Sequence, residues 1–278
     1  MEKRVEVLIE ALPYIRKFKE KVFVVKVGGA AVSNEKLRKS ILQDCALLKF
    51  VGIKLVLVHG GGPEISKLME KLDVDVKFVK GLRHTSKETL DIVRMALGKL
   101  NSEIVEDLEG MDCKALGTTG KSGGLVKAAR VEELGLVGKI TKINPSMLEH
   151  LLDKDYLPVI QPLGADETGK AVNINADELA SSLAKALKAE KLIFLTNVPG
   201  LLEDLKDEST LVREISTREL KQKLKWEEVS GGMIPKTKAI IDSIESGTGS
   251  VHLLDGRKPH SLLLEIFTTS GVGTMITK

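Results

Sequence analysis

The sequence predicts an α/β protein, a mostly parallel sheet covered by helices. Three observations carry this. Short apolar runs and amphipathic stretches alternate along the whole chain. The first of these runs is an almost continuous β-branched stretch, as in a strand buried on both faces. Glycine clusters fall where such runs end or where helices begin, the place where open α/β sheets bind ligands.

The elements follow in order. Residues 2–19 place Val5, Leu8, Ile9, Leu12, Ile15 and Phe18 at helical spacing, opposite a charged face. Pro13 should kink or interrupt that helix. Residues 22–27 (VFVVKV) read as a first buried strand, and a helix follows near 34–51. Residues 54–58 (KLVLV) are a second strand, and Pro63 opens another helix in its favoured first turn. A long helix spans 86–108, starting at Ser86. Residues 112–143 are short strand-like pieces broken by glycines, which read as hairpins. A helix near 145–153 leads to a strand at 157–160. A helix after Asn175 leads to a strand at 191–195. A helix at 235–246, after Pro235, leads to a strand at 250–254. No internal repeat or long linker is visible, and a soft boundary between two lobes falls near 170–180.

Composition narrows the function classes. The 278 residues carry 42 Lys and Arg against 39 Asp and Glu, a formal charge of +3, and 42% are hydrophobic, enough to bury a core. A near-neutral chain with 3% aromatic residues lacks the basic stripe and stacking platforms of a nucleic-acid binder, so no nucleic-acid partner is expected. No apolar stretch approaches the ~18 residues of a membrane span. The charged first residues do not resemble a signal peptide. Cys45 and Cys113 form no CxxC, so two reduced, buried thiols are expected. A cytoplasmic protein without a membrane partner is the expectation.

The chemistry concentrates in three glycine clusters: Lys26-Val27-Gly28-Gly29-Ala30, His59-Gly60-Gly61-Gly62-Pro63, and Gly231-Gly232-Met233-Ile234-Pro235-Lys236. A glycine turn exposes backbone N–H groups and lets a phosphate come close, and a following helix N-terminus adds partial positive charge. Lys26 and Lys236 at such loops suggest charge stabilisation of a transferring phosphoryl group. Asn175 suits an N-cap. Asp177, in the first turn after it, either serves the helix dipole or orients the two lysines. Arg83 offers a planar fork to a carboxylate. The stretch 115–122 falls one residue short of a P-loop, with Ala115 where glycine is required. No GxGxxG, GxSxG or metal-ligand spacing occurs, the five histidines are scattered, and no protein-held metal is expected.

The motifs VVKVGGA, HGGGPEIS, KGLRHT, NINADELA, AEKLIFLTNVPGL, SGGMIPKTKA and DGRKPHSLLLEIFTTSGVGT occur in that order. Together they resemble the N-acetyl-L-glutamate kinases of the amino acid kinase family. The resemblance implies a three-layer αβα sandwich in a single kinase domain. That domain comprises an N-terminal helix (1–20), an acetylglutamate-binding lobe (about 21–178) and an ATP-binding lobe (about 179–278). It implies transfer of the γ-phosphoryl of ATP to the side-chain carboxylate of N-acetyl-L-glutamate, in arginine biosynthesis, with Mg²⁺ held mainly by the nucleotide. By the same resemblance, Lys26 and Lys236 match the lysines that stabilise the transition state, and Asp177 the carboxylate that organises them. Gly28, Gly29, Gly61 and Gly62 match the loops facing the phosphoryl group. Arg83 and Asn173 match positions that hold acetylglutamate, and Thr196, Asn197, Gly200 and Leu201 the nucleotide side.

The EALPYI helix resembles that of arginine-inhibited hexamers, whereas forms without it resemble dimers. A hexamer inhibited by L-arginine is therefore favoured over a dimer. Glu265, Gly271 and Gly273, with Tyr14, match an arginine-site pattern. The chain departs from the family at Asn197 (usually Asp), Ser122 (usually acidic) and His84 (usually Val). Two other readings remain open: a kinase for a carrier-protein-linked aminoadipate or glutamate, and a non-catalytic arginine-sensing module. Retention of Lys26, Asp177 and Lys236 speaks against the second.

Overall fold

The computed structural model describes residues 2–79, 81–204, 206–225, 233–269 and 271–278, with side chains from residue 9 onward except at 225 and 233–235. Gly231 and Gly232 of the third glycine cluster lie outside the described residues.

Helix α1 (Glu2–Phe18) leads into strand β1 (Val22–Val27). The sequence expectation of an interruption at Pro13 is not met, because one helix runs through it. Ile9, whose carbonyl loses its i+4 partner there, is 63% exposed, so water can take the N–H's place. The helix expected near 34–51 is α3 (Glu35–Phe50), capped by Asn34, whose side chain accepts from Leu37 N; a short α2 (Gly29–Ser33), which the sequence pattern did not show, precedes it and begins at the second glycine of the first pair. Strand β2 (Lys54–His59) ends at the second glycine cluster, where α4 (Gly62–Lys71) begins with Pro63 in its first turn. A small hairpin, β3 (Phe78–Val79) and β4 (Leu82–Arg83), precedes α5 (Lys87–Glu109). Ser86 caps α5 by accepting from Thr89 N at 3.0 Å.

Then come β5 (Ala115–Thr119), β6 (Val126–Arg130), β7 (Gly138–Ile143), α6 (Ser146–Asp153), β8 (Leu157–Gln161), β9 (Leu163–Ala165) and β10 (Ala171–Asn173). Helix α7 (Ala176–Ala186) leads to β11 (Lys191–Thr196). The last part comprises β12 (Glu214–Ser216), α8 (Thr217–Lys225), α9 (Met233–Glu245), β13 (Ser250–Asp255), α10 (Ser261–Phe267) and β14 (Thr274–Thr277).

The main sheet has the order β12-β14-β13-β11-β1-β2-β8-β5. From β13 to β5 every pairing is parallel, and only β14 and β12 run the other way. Period-two alternation divides each central strand between two cores. Phe23, Val25, Leu55, Leu57, Ile193 and Leu195 pack on the side of α3, α5 and α10. Val24, Val56, Val58, Leu192 and Phe194 pack on the side of α6, α7 and α9. This is why the strands read as continuous apolar runs: neither face meets water. The resulting architecture is an αβα sandwich. A second sheet, β10-β9-β6-β7, covers part of the α7 side.

One sequence expectation changes here. Residues 115–119 are not part of a hairpin but the edge strand of the main sheet, parallel to β8. Gly117, one of the glycines in that stretch, lies mid-strand, where a Cβ would collide with Asn101 Oδ1 of α5. The glycine serves a close helix-on-strand approach. Residues 126–143 do form an antiparallel pair, β6 with β7. Cys45 and Cys113 are free and buried. Among the described residues no helix is long and apolar enough to cross a membrane.

Candidate active site

The carboxyl ends of β1, β2 and β11 lie side by side, and the first two glycine loops leave from them. Gly28 N donates to Leu195 O at 3.0 Å, and Gly60 N donates to Val27 O at 2.9 Å, so each loop is pinned to the neighbouring strand. The loops touch. A Cβ on Gly29 would lie 2.8 Å from Pro63 Cδ and 2.9 Å from Gly62 N, and one on Gly61 would lie 2.6 Å from Leu97 Cδ2. At Gly29, where the atoms met are backbone and a proline ring, only glycine permits that approach. Gly62 faces open space. Helices α2 and α4 begin at these loops, and the first N–H groups of a helix have no intrahelical partner, which makes the region receptive to anions.

Lys26, near the end of β1, is buried. Its Nζ lies 2.7 Å from Asp177 Oδ1, and Lys236 Nζ from α9 lies 3.2 Å from Asp177 Oδ2. The contact at Oδ1 is one of charge, without hydrogen-bond angles. Asp177 is held by Asn175, the N-cap of α7, whose Oδ1 accepts from Asp177 N at 2.8 Å and Glu178 N at 3.1 Å. Three residues far apart in sequence thus form one +/−/+ cluster. Burial pushes the Asp177 carboxyl up, but the charges of Lys26 and Lys236 outweigh it and hold the group below its ordinary range. Burial pulls the Lys236 ammonium down, and Asp177 only partly restores it. The Lys236 ammonium also sits 5.4 Å over the Phe194 ring.

Beside Lys26 opens a cavity of about 270 Å³, bounded by Gly60, Gly62, Arg83, Asn173 and Asn175. Arg83 is 7% exposed, and burial lowers its pKa. Its guanidinium donates to Ser66 Oγ at 2.8 Å and Gly62 O at 3.1 Å and lies 4.8 Å from the Phe78 ring centroid. No carboxylate pairs with it among the described residues. Asn173 Nδ2 donates to Thr85 Oγ1 at 3.2 Å, and Thr85 Oγ1 donates to Arg83 O, which links the two polar residues of the cavity.

Thr196, Asn197, Gly200 and Leu201 lie apart from that cavity, at and after the end of β11. Thr196 Oγ1 donates to Val198 O and accepts from Val198 N, and Leu201 N donates to Thr274 Oγ1 at 2.9 Å. Gly200 has φ 157 and leaves no room for a Cβ against Thr274. Asn197 is exposed. Sequence reasoning missed Asp255, buried at the end of β13 beside Thr196. Arg257 donates to both of its carboxylate oxygens, at 2.9 and 2.8 Å. The DGR tripeptide was its only signal.

A second cavity, of about 420 Å³, gathers Tyr14 of α1, Glu265 of α10, Gly271 and Gly273, together with Lys191 and His252. Glu265 accepts from Val272 N at 2.8 Å and Gly273 N at 3.2 Å and pairs with His252 Nδ1 at 2.6 Å. Burial raises its pKa, but His252 and these N–H groups outweigh that and bring it to about 2. Lys191, brought down to about 8 chiefly by burial, reaches His252 Nε2 at 2.8 Å. Neither Lys191 nor His252 was legible as a site residue, because both lie in strands with no glycine pair next to them to mark a site, as one marks Lys26.

The profile of the amino acid kinase family matches residues 21–255. The chain is 48% identical to the acetylglutamate kinase of Carboxydothermus hydrogenoformans over the full length of both proteins. It is 47% identical to that of Methanocaldococcus jannaschii, over all of this chain and 97% of the other. Among solved structures it is similar to N-acetylglutamate synthase from Neisseria gonorrhoeae. The complex with coenzyme A and N-acetyl-glutamate matches at TM-score 0.87 and 27% identity, over 99% of this chain and 63% of that one. The complex with coenzyme A and L-arginine matches at TM-score 0.85 and 26% identity, over 99% of this chain and 65% of that one.

Proposed function

The chain belongs to the amino acid kinase family, and from that premise we propose that it transfers the γ-phosphoryl group of ATP to the side-chain carboxylate of N-acetyl-L-glutamate, a step of arginine biosynthesis. The full-length similarity to acetylglutamate kinases supports the reaction. The observation that carries its assignment to this site is the bridge from Asp177 to Lys26 and Lys236 beside the glycine loops.

A glutamate side chain, with a reference pKa of about 4.3, is ionised at neutral pH and needs no general base. The obstacle is repulsion between that carboxylate and the triphosphate. A carboxylate oxygen forms a bond to Pγ, the bond from Pγ to the β–γ bridging oxygen breaks, and ADP leaves with the electron pair. Lys26, Lys236 and the N–H groups of Gly29, Gly61 and Gly62 offset the charge on the transferring group, while the Gly28 N–H, held by Leu195 O, fixes the first loop. Asp177 keeps both ammonium groups in place and opposes the downward pull of burial on Lys236.

Mg²⁺, which offsets charge on the phosphate oxygens, fits as an ion carried by the nucleotide. The carboxylate of the cluster, Asp177, is already engaged by two lysines. Arg83 and Asn173 orient acetylglutamate. A buried guanidinium without a carboxylate among the described residues is matched by an anionic ligand. Thr196, Asn197, Gly200 and Leu201 belong to the nucleotide side, in a lobe of about residues 179–278. The 21–178 lobe takes the amino acid, and the enzyme works in the cytoplasm.

The direct test is trapping the acyl phosphate with hydroxylamine. ATP and free acetylglutamate should give the hydroxamate, whereas product formed only from a carrier-linked acid would overturn the substrate assignment. Replacing Arg83 by Lys keeps the charge but loses the fork. The KM for acetylglutamate should rise about tenfold or more with that for ATP unchanged, on a scale of roughly 1.5–3 kcal/mol for hydrogen bonds to charged groups. An unchanged KM would remove Arg83 from the substrate site.

Inhibition by L-arginine at the second cavity is supported by its lining and by the arginine complex of the similar synthase. Helix α1 supplies Tyr14 to that cavity, which ties the inhibitor to the same helix that is proposed to join dimers into a hexamer. Deleting residues 1–18 should give a dimer insensitive to arginine. Tyr14→Ala, which keeps Phe18 in the core, should weaken inhibition alone. A hexamer from the truncated chain in light scattering would refute the helix as the joint between dimers.

A further inference from the structure

We infer that His59 is a positioning residue of the phosphoryl-transfer loop: its imidazole, steadied by Asn101, fixes the Gly60 peptide and with it the N–H groups that open α4. The inference rests on the phosphoryl-transfer reading above.

His59 ends β2 with no exposed surface, directly before Gly60-Gly61-Gly62. Its Nδ1 lies 3.0 Å from Gly60 O, and its Nε2 lies 3.1 Å from Asn101 Nδ2. The partners fix the proton's place. Asn101 Nδ2 also lies 3.0 Å from Val159 O, which can only accept, so that end of the side chain is the NH₂ group. His59 Nε2 therefore accepts, Nδ1 carries the hydrogen, and the Gly60 carbonyl receives it. Burial brings the imidazole down to about 4, so it is neutral where the enzyme works.

Both peptides that flank the Gly60 Cα are thereby held, the one before it through Gly60 N–H to Val27 O and the one that carries Gly61 N–H through Gly60 C=O to His59. The next two residues of the loop meet Gly29: the nitrogens of Gly61 and Gly62 stand 3.2 and 2.9 Å from where a Gly29 Cβ would be. A glycine triplet has no side chains to restrain it, and its entropy is large. The restraint is supplied from below by a ring that never touches substrate. Asn101 extends it to α5 and β8.

Two variants separate this role from packing. In His59→Asn the amide nitrogen can take the place of Nδ1 and still donate to Gly60 O. In His59→Gln the amide lies near the Nε2 position and meets Asn101 instead. Turnover and thermal midpoint are measured for both, with KM for ATP and acetylglutamate. The Asn variant should keep kcat within about fivefold. The Gln variant should lose about ten- to a hundredfold in kcat with little change in either KM, the scale of a displaced catalytic group. Equal kcat in the two variants overturns the inference.

A second readout uses the wild-type enzyme. Long-range ¹⁵N–¹H correlation spectra should place the His59 proton on Nδ1 at neutral pH, and an Nε2–H tautomer overturns the inference. If the wild-type enzyme fails to phosphorylate acetylglutamate, the kinase reading falls first, while the tautomer measurement still reports on the loop.

Discussion

Lys26→Ala is expected to lower kcat by about 10²–10³-fold, the loss seen when one preorganised charge-stabilising donor is removed. Lys26 sits where β1 turns into the first glycine loop, buried and 2.7 Å from Asp177. No flexible surface residue can replace its charge there. The side chain borders the 270 Å³ cavity, so truncation extends an existing space rather than opening a new void in the core. The fold should survive, with a thermal midpoint close to wild type. KM for acetylglutamate should change far less than kcat if Lys26 acts on the transition state. Turnover near wild type in this variant would remove Lys26 from the catalytic cluster.

Asp177→Asn should have the second largest effect, and its signature lies in the pH profile. Lys236 is pulled down by burial and by the neighbouring Lys26 charge, and Asp177 is what pulls it up. Without that carboxylate only the downward influences remain. The Lys236 ammonium then loses its proton at a lower pH than in the wild-type enzyme. Since the protonated form stabilises the phosphoryl group, the alkaline limb of kcat should move to lower pH. At neutral pH kcat should fall by about ten- to a hundredfold, between the loss of a positioning contact and that of a catalytic charge. A uniform drop with an unmoved alkaline limb would mean that Asp177 does not govern the ionisation of Lys236.

How much of this could be read from the chain differs by element. The central strands were legible to within a residue because burial on both faces leaves an unbroken apolar run, which water-facing strands lack. Helix α5 was legible because Ser86 declares its start. Helix α2 was not, since five residues beginning at glycine carry no periodicity. Strand β5 was misread because Gly117 serves a contact with α5 that lies outside any local window. In the candidate site, Lys26 and Lys236 stood out by their glycine loops and Arg83 by its place after a loop. Asp177 left two readings open until its two oxygens were seen facing two lysines. His59 and Asn101 look like ordinary core residues in sequence, and only their common contact shows what they hold.

Local pattern in the chain was enough to set the layer architecture, the ends of the strands where loops must gather, and the family to which the motifs belong. Side-chain periodicity, caps and glycine-bearing turns act over a few residues, so they are written in the sequence directly. Which charges meet is settled only by tertiary packing. Lys26, Asp177 and Lys236 come from a strand and two different helices. Tyr14 comes to line one cavity with Glu265 only because α1 lies against α10. Electrostatic coupling depends on distance and burial, and neither is encoded in sequence separation.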